Sequence, residues 1–146
     1  RHELGCEAER LGQAVREQAG LAYYAYSTLG GGLGPGAWYV SAGVDPENVG
    51  KAVDLITQEI ARFVREPVDL DELEDTKTHY IGRLPLSLES NGGVAGALLN
   101  LERYELGVDY YRSYADMISS ITREEILEAA RTYLDPLRLG ISIAGP

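Results

Sequence analysis

The chain has 146 residues, 45% hydrophobic and 25% charged, enough for a single globular domain that buries roughly two-thirds of its unfolded surface. Its formal charge of −10 comes from scattered acidic residues with no basic patch, so nucleic acid is not an expected partner. No apolar run is long enough to cross a bilayer, and the lone cysteine, Cys6, excludes an internal disulfide framework and a four-cysteine zinc site.

The first residues, Arg1-His2-Glu3-Leu4-Gly5-Cys6, carry neither an initiating methionine nor the apolar core of a signal peptide. The chain therefore reads as a fragment or processed product, with the cytoplasm as its expected location. Residues 5–18 read as a helix end, with Leu11, Ala14 and Val15 at helical spacing and Gly20 placed to stop it. Residues 21–28 alternate and are rich in tyrosine, which predicts a strand. Glycines and a proline over 29–36 predict a loop, and residues 37–44 the returning strand of a hairpin.

Asp45-Pro46-Glu47 starts a helix, with Asp45 as N-cap and Pro46 in its first turn. Val49, Ala52, Val53, Ile56, Ile60, Phe63 and Val64 form one apolar stripe along it, and Pro67 ends it. Asp69 with Glu72 signals another helix start. Pro85 and the Asn91-Gly92-Gly93 step are expected to kink or break that stretch before helix resumes from Ala95 towards Gly107. A further helix is expected over 109–119, then one opened by the capping box Thr122-Arg123-Glu124-Glu125 and stopped at Asp135-Pro136. Residues 137–144 alternate again and predict a final strand. The pattern is α+β, an antiparallel-rich sheet packed by helices, in one domain over residues 1–146.

The stretch Arg16-Glu17-Gln18-Ala19-Gly20-Leu21-Ala22-Tyr23 runs from a charged helix end through glycine into the first strand. It resembles the Arg…Gly-Leu-Ala-Tyr motif in the second, non-zinc half of M16-type zinc metallopeptidases, the pitrilysin and mitochondrial-processing-peptidase class. The resemblance extends through Asp45-Pro46-Glu47, Val68-Asp69-Leu70-Asp71-Glu72-Leu73, Ile121-Thr122-Arg123-Glu124-Glu125-Ile126 and the terminal Ile141-Ser142-Ile143-Ala144-Gly145-Pro146. The zinc motif of that family, His-x-x-Glu-His, is absent. The resemblance implies the non-zinc half of an M16 fold, with the first strand of the family pattern missing. It implies that Arg16 and Tyr23 reach a peptide substrate at a zinc held by another domain or subunit, and that this chain itself binds no metal. A different class remains open: a non-catalytic interaction module of the same fold, comparable to the core proteins of the respiratory bc1 complex.

The chemistry suits those residue types. Peptide hydrolysis at zinc places negative charge on the carbonyl oxygen, and a fixed donor beside that oxygen stabilises it. Arginine offers a permanent charge on a forked donor, and tyrosine a rigid hydroxyl on a long arm. On their own, the eight residues favour the plainer reading, a solvated helix-end charge and a sheet aromatic; the ordered resemblance along the chain reverses that preference in favour of the catalytic reading. Tyr24 and Tyr26 read as core or substrate-groove residues, with core the default, and Trp38 as packing. The glycine loop lacks the Gly-Lys-Ser/Thr and following helix of a phosphate cradle. His2, Glu3 and Cys6 imitate a zinc motif without a further ligand, and His79 reads as an ordinary helix histidine.

Overall fold

The computed structural model describes residues 20–34 and 36–145. They form two compact units, divided at Val68/Asp69 and at Thr122/Arg123.

In the first unit, β1 (Ala22–Leu29) and β2 (Trp38–Val44) make an antiparallel hairpin. The Gly30 N–H donates to the Ala37 carbonyl at 2.8 Å and closes the glycine loop. Pairs such as Ala25 with Ala42 and Ser27 with Val40 set the register, which shifts between Ala22 and Tyr24. The helix expected before residue 18 lies outside the described residues. Gly20 has φ +61°, the left-handed conformation of a helix-stopping glycine.

A 3-10 turn at Pro46–Asn48 leads into α1 (Val49–Phe63). Asp45 has the extended backbone of an N-cap, although its side chain makes no capping bond. Ala52 on the apolar stripe of α1 is buried against Leu21, Ala22, Ala25, Val44, Leu55 and Ile56, so the helix covers one face of the hairpin. The last helix of this unit, α5 (Arg123–Tyr133), is tied to the end of α1 by arginine. Arg131 donates from Nε to the Val64 carbonyl at 3.0 Å and from Nη2 to the Arg65 carbonyl at 3.3 Å. These carbonyls lie past the last turn of α1, where the helix cannot supply donors. Arg123 Nε likewise donates to the Val68 carbonyl.

The second unit holds α2 (Leu70–Ser87), α3 (Asn91–Arg103) and α4 (Tyr110–Ser120), with α2 and α4 in contact. The expected break falls at residues 88–90, and Pro85 is accommodated in the last turn of α2. Asn91-Gly92-Gly93 is not itself the break but the first turn of α3. Ser90 explains the difference: its Oγ accepts the Gly93 N–H at 3.0 Å and caps the helix before the glycines weaken it. Val94, Leu98 and Leu99 on α3 remain exposed.

One expected element is missing. Residues 137–144 form no strand. Their alternation supplies the side-chain pattern of a strand, but a strand exists only with a hydrogen-bonded neighbour, and no ladder joins this segment to the hairpin. The outcome is a helix-rich α+β fold with a two-stranded antiparallel sheet.

Candidate functional site

Tyr23 sits where the β1–β2 register shifts. Ala22 pairs with Val44 and Tyr24 with Gly43, which leaves Tyr23 as the extra residue of a bulge. Bulges turn a side chain out of the regular alternation, and Tyr23 is 90% exposed. The bulge also removes the simple alternation that would set Tyr23 on the face opposite Tyr24 and Tyr26. Arg16, its expected companion, lies outside the described residues, as do His2, Glu3 and Cys6. Among the described residues, no group of three His, Cys, Asp or Glu side chains is placed to hold a metal ion.

The two faces of the hairpin differ in chemistry. Ala25, Val44 and the buried Ser27 lie towards α1; Tyr24, Tyr26 and Tyr39 lie on the other face and are exposed. Tyr24 and Tyr26 stack with ring centroids 5.9 Å apart. The Tyr24 ring also lies on Gly43, where an added Cβ would fall 2.4 Å from its Cε1 atom. Reading Tyr24 and Tyr26 as core is therefore corrected: the buried face is taken by Ala25 and Ser27, small enough for the helix to approach, and the tyrosines face outwards. The signal was present in their cross-strand partners. Tyr24 opposes Gly43 and Tyr26 opposes Ser41, neither of which builds a core.

Beside β2 lies a groove of about 870 Å³. Trp38 and Val40 of β2, Ile56 and Ile60 of α1, Tyr133 and Ile141 are among the residues lining it. Trp38 thus belongs to a groove wall rather than to a closed core. The segment that borders the groove starts from a fixed turn. Asp135 accepts the Leu137 N–H at 3.0 Å through Oδ1 and the Arg138 Nε–H at 2.7 Å through Oδ2. These two donors hold the Asp135 carboxyl below the usual carboxylate range, the backbone N–H having the larger effect.

The fold and the motif define a domain of the M16 peptidase type. The profile of the peptidase M16 inactive domain matches residues 4–80, and the chain belongs to that family. It is 32% identical to an uncharacterised zinc protease of Streptomyces coelicolor, over 97% of this chain and 31% of that protein. It is 31% identical to an uncharacterised zinc protease of Mycobacterium tuberculosis, over 95% of this chain and 32% of that protein. The chain thus spans about a third of the length of these curated relatives. Among solved structures, a peptidase M16 inactive domain from Pseudomonas fluorescens superposes with a TM-score of 0.79 at 24% identity, over 87% of this chain and 30% of that one. The periplasmic protease PqqL from Escherichia coli gives a TM-score of 0.70 at 18% identity, over 88% of this chain and 15% of that one.

Proposed function

We propose that this chain is the non-zinc half of an M16-type zinc endopeptidase, and that Arg16 and Tyr23 position a peptide and stabilise its oxyanion at a zinc site in another domain or subunit. The observation that carries the reading is Tyr23: an aromatic hydroxyl turned out of the sheet on a bulge and 90% exposed, at the tyrosine position of the family motif. An aromatic recruited for packing would be covered, since burial is what gives such a ring its stabilising value.

When bound in the other half, zinc supplies the Lewis acid that activates water and polarises the scissile carbonyl. The residues of this chain do the rest. Tyr23 donates its O–H to the carbonyl oxygen as charge collects there, and Arg16 adds a cationic donor that also holds the peptide. Neither group transfers a proton permanently; both act by being in place before the charge forms. The exposed face bearing Tyr24, Tyr26 and Tyr39 offers further ring surface and hydroxyls beside which an extended peptide can lie.

The test is kinetic, in the chain assembled with its zinc-bearing half. Tyr23→Phe is expected to lower kcat by up to about 10²–10³-fold, the usual cost of one oxyanion donor, with zinc content and fold unchanged. Arg16→Ala should also raise KM, and the double variant should lose less than the product of the single effects, because both groups act on one oxygen. Wild-type turnover in a zinc-loaded double variant would leave the interaction-module reading in its place.

A further inference from the structure

We propose that Tyr24, Tyr26 and Tyr39 form a subsite for one large uncharged side chain of the peptide, aromatic or aliphatic, close to the scissile bond. This rests on the role proposed above for Tyr23 and adds the substrate class. The three rings lie on the hairpin face away from α1 and are 44%, 43% and 49% exposed, so much of each ring stays in water. Tyr26 opposes Ser41 and Tyr39 opposes Thr28, which sets Tyr39 diagonal to Tyr26 across the ladder. Diagonal neighbours lie about 7–8 Å apart, within reach of aromatic side chains. The rings thus make a stripe that runs from Tyr24 through Tyr26 to Tyr39.

The hairpin itself holds these rings. The Tyr24 ring lies on Gly43, and a side chain at residue 43 would displace it, an added Cβ falling 2.4 Å from Cε1. Tyr26 stacks on Tyr24 with ring planes 29° apart. Rings fixed in this way lose little freedom on binding, which leaves more of the contact energy as affinity. The chemistry of the face then selects the occupant. No charged residue stands between Gln18 and Asp45, so a carboxylate or an ammonium group finds no ion-pair partner on either strand. The formal charge of −10 further disfavours an acidic side chain. A large uncharged side chain gains by covering ring surface. Reach agrees with this. Tyr23 and Tyr24 are adjacent, with Cα atoms about 3.8 Å apart, and an extended peptide rises about 3.3 Å per residue. A peptide whose scissile carbonyl meets the Tyr23 hydroxyl brings side chains a few residues from that bond to the level of the stripe.

The test uses the chain assembled with its zinc-bearing half and a series of peptides that differ at one residue near the scissile bond. That residue is Phe, Leu, Ala, Arg or Glu, scanned over the neighbouring positions on both sides of the bond. At one position Phe and Leu should raise kcat/KM at least about tenfold over Ala, a factor that covering some tens of Å² of ring surface supplies. Arg and Glu should give no such gain. Tyr26→Ser combined with Tyr39→Ser should bring the Phe-to-Ala ratio close to one. Tyr26→Phe combined with Tyr39→Phe should keep it, since the rings and not the hydroxyls make the contact. Should the serine pair not fold, Tyr39→Ser alone gives the comparison. A wild type with no position that prefers Phe or Leu would overturn the proposal. An equal gain with Arg, or a ratio that survives the serine variants, would do the same. Tyr23→Phe separates this subsite from the role of Tyr23: it should slow every peptide by the same factor and leave the ratio alone. A Tyr23→Phe variant of unchanged turnover, with the ratio intact, would overturn the catalytic role of Tyr23 and support the subsite.

Discussion

Among the described residues, the buried Ser27 hydroxyl has no hydrogen-bond partner, the residue being 3% exposed. A buried unmet polar group costs about 1–3 kcal/mol. Ser27→Ala removes it while keeping the small side chain that the helix-facing side of β1 requires. We expect the variant to be as stable as the wild type or more stable by up to about 1 kcal/mol in urea melts; a clear loss would mean that the hydroxyl has a partner in solution. Tyr23 presents the opposite case, a large aromatic left in water. Sequence alone could name Tyr23 from its distance to Arg16, but its exposure depends on the register shift at Ala22/Tyr24. That shift is a cross-strand property, invisible in the order of residues along one strand.

Among the elements, α3 depends on its cap. Ser90→Ala removes the acceptor of the Gly93 N–H and should destabilise the chain by about 1 kcal/mol, the usual cost of losing a serine N-cap. The effect should appear as faster amide exchange in the first turn of α3 ahead of the other helices. Here the sequence was legible only in part. Pro85 and the glycines announced a break between α2 and α3, yet its place was set by one serine. On α4, Tyr114 carries a pH dependence. Burial, and then the charges Tyr110, Tyr80 and Tyr111 would carry when ionised, raise its pKa above the ordinary 10.0. The folded state therefore favours the neutral phenol. Its contribution is fully present below the unfolded pKa and is lost as pH rises through the higher folded value. Stability should accordingly fall above about pH 10, and Tyr114→Phe should make that fall shallower in melts recorded across the alkaline range.

For the whole molecule, we expect the isolated chain to hold no stoichiometric zinc and to cleave no peptide, because a zinc site needs several converging ligands and the sequence has no His-x-x-Glu-His. Metal analysis after purification without chelators checks this; one tightly held zinc per chain, lost in a His2→Ala or Cys6→Ser variant, would contradict it. The sequence by itself determined the α+β class, the tyrosine hairpin, the apolar stripe of α1 and the starts of α1, α2, α4 and α5. Each of these rests on local periodicity or on a cap that neighbouring residues specify. It also placed the chain in the M16 family through ordered motifs. Tertiary structure alone decided which face of β1 is buried, that Tyr23 sits on a bulge, and that residues 137–144 form no ladder with the hairpin despite a strand's alternation. Those outcomes depend on partners distant along the chain: a helix close enough to admit only Ala25 and Ser27, a register set across the hairpin, and a ladder that forms only when a second strand is in reach.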